Sequence, residues 1–177
     1  MNIDPQILAP ILTVLFGGVL SGIITYSLNA RKSERELLRQ KLELLYTHTH
    51  KYIATLIGHY IQYYPVVNGV MSLNELYDLQ IKSAEKSTST HEQIEMLIAV
   101  YFPKVQSAYD QLLVARDQLA EFHSNFSLEY KRGKTDSAKH KAELKIGLDA
   151  LNIAEKALRA KILNQAAWIN QPWWKLW

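Results

Sequence analysis

Residues Ile7–Leu28 read ILAPILTVLFGGVLSGIITYSL, 22 consecutive residues with no charge and no amide side chain. As a helix at roughly 1.5 Å per residue the run is about 33 Å long, against a hydrocarbon core of about 30 Å. A core helix of that length in a globular protein carries a polar face, whereas this one shows only Thr and Ser. No positive charge precedes the run and no small-residue cleavage pattern follows it, which separates it from a secretory signal. The expectation is a single transmembrane anchor over 1–30 and a helical domain over 31–177. Only Asp4 is charged before the run, while Arg31, Lys32, Arg35 and Arg39 follow it. The positive-inside rule then places the N-terminus outside and the C-terminal domain in the cytoplasm.

The chain has 177 residues, no cysteine, seven Gly and five Pro, with a net charge of +3 from 20 basic and 17 acidic residues. Zero cysteines exclude a disulfide framework and thiolate metal sites. The basic excess is too small to argue alone for DNA binding. Few helix breakers and abundant Leu, Ala, Glu, Lys and Gln predict an all-α protein, the anchor continuing into a cytosolic antiparallel helical bundle.

Within the anchor, Gly18 and Gly22 form a small-xxx-small pair that lets helix backbones approach closely. Thr13, Gly17, Ser21, Thr25 and Asn29 also recur every four residues, a row that drifts by about 40° per step. These residues are the candidate pore or helix-contact positions. Arg31 to Tyr64 continues at helical spacing through Leu38, Leu42, Leu45, Tyr52, Leu56, Tyr60 and Tyr63, ending before Pro65. Its tyrosines fit a core or a subunit interface better than a ligand platform. Asn68-Gly69 marks a turn, and Ser72-Leu-Asn-Glu75 has the form of a capping box opening a helix from Leu73 to about Ser87. Lys86–Thr90 reads as a loop, and Thr90-His-Glu-Gln93 as a second capping box. Pro103 must kink or break the third helix, after which the pattern resumes to about Lys131, with Gly133 as its stop. A last helix spans about Asp136 to Ile169. Trp173, Trp174 and Trp177 at the end are candidates for a membrane interface, where Trp is enriched.

Three groups of residues carry candidate chemistry. Lys131, Arg132 and Lys134, followed by Lys139 and Lys141, make a basic cluster at a helix–turn–helix tip, a candidate anion or nucleotide site. His48 and His50 point about 200° apart on a helix, and His59 and His91 lack a carboxylate at ligand spacing, so no metal is expected. No nucleophile elbow or phosphate-cradling Gly loop is present, and no cofactor is implied. Arg116 and His123 are separated by six residues, close to two helical turns, and share a helix face.

On that Arg/His pair and its all-α character the chain resembles the HEPN superfamily, helical domains that often act as RNases through an Arg and a His completed across a dimer. The layout of one N-terminal helix and a helical body is similar to small bacterial membrane-anchored defence effectors, among them CRISPR accessory membrane pore proteins with a degenerate HEPN-like body. The resemblance implies a non-enzymatic, homo-oligomeric effector in the bacterial inner membrane. It would form or perturb a pore in antiphage defence when a nucleotide, RNA or protein trigger reaches the cytosolic domain. The alternatives are a tethered adaptor that binds a protein or nucleotide partner, and a HEPN-like RNase acting through Arg116 and His123.

Overall fold

The computed structural model describes residues 5–84, 90–134 and 136–171, with side chains described over 17–82, 90–134 and 136–171. All regular structure among them is helical: α1 Pro5–Ile61, α2 Tyr63–Val67, α3 Leu73–Ala84, α4 His91–Tyr101, a 3-10 turn Pro103–Val105, α5 Gln106–Lys131 and α6 Ser137–Asn170. The chain divides into two units, Met1–Gln40 and Lys41–Trp177.

In the first unit every side chain from Gly17 to Glu34 is exposed. Among the described residues no helix is long and apolar enough to cross a membrane. That finding corrects the expected transmembrane helix and, with it, the single-pass inner-membrane placement. From Gly17 onward the apolar run ends at Leu28 and is followed at once by Arg31, Lys32 and Glu34. Twelve residues make about 18 Å of helix, well short of a bilayer core of about 30 Å. The part of the run before Gly17, including Thr13, lies outside the described side chains. Trp173, Trp174 and Trp177 lie outside the described residues, as does most of the expected loop at Lys86–Thr90.

The second unit is an antiparallel bundle of the α1 residues from Lys41 onward with α4, α5 and α6. Contacts along the helices give their directions. Lys41 meets the Tyr101 ring and Tyr52 stacks on His91, so α4 runs against α1. Phe126 packs on His140 and Leu119 on Gly147, so α6 runs against α5. Between α4 and α5 the chain reverses at Pro103. Phe102 adopts φ −134°, ψ 54°, and the 3-10 turn carries the chain round. Proline cannot supply the N–H that a continued helix needs, and the residue before it is pushed out of the helical region. The core is filled by Leu45, Tyr63, Ile94, Ile98, Leu112, Leu144 and Leu151, each 1 % exposed or less.

Element ends follow local chemistry. At α3 the capping box is made in full. Ser72 N–H donates to Glu75 Oε2 at 2.7 Å, and Glu75 N–H donates to Ser72 Oγ at 3.2 Å. The second expected box is not made: Thr90 is buried with helical φ and ψ, and its side chain makes no cap bond. Helix α1 ends at Ile61, earlier than expected, and Pro65 sits inside α2. There it is the third residue, where a missing N–H costs no intrahelical bond. Helix α5 closes with a Schellman turn: Gly133 N–H donates to Tyr130 O and Lys134 N–H to Glu129 O, with Gly133 at φ 69°. Asp136 then caps α6, its carboxylate accepting from the N–H groups of Ala138 and Lys139 at 3.1 Å each.

Candidate ligand groove beside Arg116

Helix α5 carries Arg116 and His123 on one face, about 10 Å apart along the axis. They face different surroundings. Arg116 Nε and a terminal nitrogen lie 2.8 and 2.7 Å from Asp117 Oδ1, and Tyr52 is a further side-chain partner. These partners hold the guanidinium charged and firmly above its ordinary range, Tyr52 contributing most. His123 instead packs between the Tyr63 and Tyr77 rings, at 5.5 and 6.2 Å. Its Nε2 is 3.4 Å from the Tyr77 hydroxyl, which also bonds Ser127 Oγ at 2.8 Å. Burial pushes the His123 imidazolium pKa down.

Next to Arg116 opens a groove of about 890 Å³ between the C-terminal part of α1, α3 and α5. Its walls are mostly apolar, from Leu56, Tyr60, Ile81 and Ala120, with Arg116 and His59 as its ionisable nitrogen groups. Tyr77, Gln62 and Gln80 contribute a hydroxyl and amides. His59 is held toward its neutral form, first by burial and then by the positive charge of His123. Burial likewise raises the Tyr60 phenol, so it stays a neutral donor. His123 is not among the lining residues, so the Arg and His of the HEPN-like pair do not converge on this space.

On the other side of Tyr52 the sequence reading missed a second network. His91 Nδ1 is hydrogen-bonded to the buried Tyr109 hydroxyl, and His91 Nε2 lies 3.4 Å from Glu95 Oε1. The missed signal was the i, i+4 spacing of His91 and Glu95, which puts a carboxylate beside the imidazole. Among the described residues no group of three or more metal-ligating side chains forms.

The basic tip has its own carboxylates. Lys139 Nζ is held by Glu129 at 2.8 and 3.1 Å and reaches Glu143 at 4.0 Å. Buried His140 lies between the same two acids, with Nε2 3.2 Å from Glu129 and Nδ1 3.4 Å from Glu143. Asp136 already occupies the first N–H groups of α6. Lys131, Arg132, Lys134 and Lys141 are exposed around this matched cluster.

The helix-contact candidates sit on exposed α1: nothing lies within 4 Å of a Cβ built at Gly17, Gly18 or Gly22. Ser21 Oγ donates to its own helix at Gly18 O, as Ser27 does at Ile24 O. Thr25 and Asn29 are exposed on the same helix. No protein-family model, no curated protein and no solved structure matches this chain.

Proposed function

We propose that the 41–177 bundle is a binding module whose groove receives a small anion joined to a planar ring, a nucleotide being the chemistry that fits. The observation that carries this reading is the pairing of one fixed guanidinium with an apolar, aromatic-walled groove of about 890 Å³. Ligand sites commonly measure about 300–1,000 Å³, with apolar walls and a few placed polar groups. Arg116 would meet the phosphate, where a charge-assisted bond is about twice as strong as a neutral one. His59, Tyr60 and Tyr77 offer surfaces on which a base can stack, and Gln62 and Gln80 offer amide edges for hydrogen bonds. Asp117 competes for the same guanidinium, so the anion must share or displace it.

Calorimetric titration of the purified protein with mononucleotides, cyclic nucleotides and short oligoribonucleotides tests the reading. Arg116→Ala should weaken binding at least about tenfold. Asp117→Asn should strengthen it, and added salt should reduce it. Binding indifferent to both substitutions would reject the groove. Metal-independent RNA cleavage abolished by Arg116→Ala or by His123→Ala would replace it with the RNase alternative.

A further inference from the structure

Helix α6 has two contrasting long faces. One carries the buried row Leu144, Leu151, Leu158 and Ile162 into the bundle. The other is a strip of Ala142, Ile146, Ala150, Ile153, Ala157 and Ala160, with Ile146 and Ile153 exposed at 67 % and 68 %. At about 100° per residue these six side chains fall within roughly 80° of one another. No Asp, Glu, Lys or Arg lies among them. A soluble surface seldom leaves two turn-spaced isoleucines so open along a charge-free ribbon, and alanines beside them allow another helix to approach closely.

The charges flanking the ribbon say what covers it. One edge carries Glu143 and Lys161; the other carries Asp149 and Lys156, with Lys145 about 20° further round the helix. The midpoint of the first pair is Asn152, and that of the second falls between Asn152 and Ile153. In an antiparallel pair of identical helices related by a two-fold axis, each edge faces the same edge of the partner, with residue order reversed. An axis at Asn152–Ile153 therefore brings Glu143 opposite Lys161 of the second copy and Asp149 opposite Lys156, twice each, on both edges at once. Within the chain Asp149, Lys156 and Lys161 make no ion pair among the described residues.

We propose that this outward face of α6 is the interface of an antiparallel homodimer whose two-fold axis crosses at Asn152–Ile153. Ile153 then packs near its own symmetry mate, while the two Ile146 residues are about 19 Å apart along the axis. Sedimentation equilibrium of the full chain over a micromolar concentration series should show a monomer–dimer equilibrium. Ile153→Glu should weaken it at least about a hundredfold, an effect read alongside an unchanged circular-dichroism melt because the side chain is exposed. Asp149→Lys and Lys156→Asp should each weaken it by about tenfold, and the double exchange should return it to within about threefold. The chain has no cysteine, so single thiols report the register. Ile153→Cys should be joined to its mate by a short bis-maleimide, and Ile146→Cys should not. A monomer at every concentration, a dimer that survives Ile153→Glu, a double exchange that fails to restore it, or self-crosslinking through Ile146→Cys would each overturn the proposal.

Discussion

One helix of 57 residues holds two regions that behave differently. From Gly17 to Glu34 the helix exposes every side chain, including Val19, Ile23 and Tyr26. From Lys41 to Ile61 it buries Leu42, Leu45, Thr49, Ile53 and Tyr60, spaced by three, four, four and seven residues. Seven of the 18 residues of the first region are apolar, but they spread round more than half of the helix, so no single face is distinguished. Eleven of the 21 residues of the second are apolar, and the buried ones fall in a row. Periodicity, together with apolar content, decides which part of a helix enters a core.

The sharpest way to break this contrast is to truncate one large aliphatic residue in each region. Leu45→Ala, at a position with no exposure, should destabilise the fold by about 2–5 kcal/mol, whereas Leu20→Ala should change it by less than about 0.5 kcal/mol. Urea melts of both variants check this, and equal losses would mean that the two regions are buried alike. Glycines sharpen the comparison. A Cβ at Gly147 would stand 2.6 Å from Leu119 Cδ2, and Leu119 is fully buried, so Gly147→Ala should cost about 1–3 kcal/mol. Gly18→Ala meets nothing within 4 Å and should be neutral or slightly stabilising through helix propensity. Thermal melts that rank the two in the opposite order would remove the close α5–α6 approach as an account of Gly147.

A smaller effect separates the two expected capping boxes. Ser72→Ala should cost about 1 kcal/mol, measured as a shift in the urea midpoint, because the hydroxyl that accepts from Glu75 N–H and donates to Glu75 Oε2 is lost. Thr90 makes no such bond, so its hydroxyl contributes no cap. The smallest effect is that of pH. His59 and His123 both have imidazolium pKa values lowered by burial. Above the ordinary histidine value of 6.5 both states are neutral and the contribution is complete. As pH falls below it the unfolded chain takes up protons first, and stability declines toward the lowered folded values. The melting temperature should therefore drop between about pH 6.5 and 5, and His59→Gln with His123→Gln should flatten that slope. A slope unchanged in the double variant would assign it to other groups.

Much of this architecture can be read from local patterns. Ser72 and Glu75 announce a cap, Pro103 a break and Gly133 a stop, because each acts on its own neighbours within four residues. The apolar spacing of α5 and α6 likewise predicts their buried rows. Length and hydropathy misled where they were taken alone, as over Ile7–Leu28, since content does not specify surroundings. The groove was legible only in part. Arg116 and His123 stand out by spacing, but His59, Tyr77 and Gln80 reach Arg116's groove from other helices, and no periodicity within one helix announces such a meeting. Thr90 failed as a cap for a related reason: packing draws it into the core and takes it from the geometry a cap requires.

The turn at Gly133 also sets an order of events during synthesis. Helices α5 and α6 form a hairpin whose partners are close in sequence, so its contacts close quickly. The α1 row, by contrast, waits for residues made much later: Tyr46 is bonded to Arg159, 113 positions away. At about 5–20 residues per second, translation leaves that row without its final partners for roughly 6–23 s. For that interval Leu42, Leu45 and Ile53 form an unpaired sticky surface on the nascent chain, open to chaperones or to neighbouring nascent chains. Ribosome-stalled chains ending before Asp136 should accordingly be cleaved within 41–61 by added protease, and chains extended past Asn170 should resist.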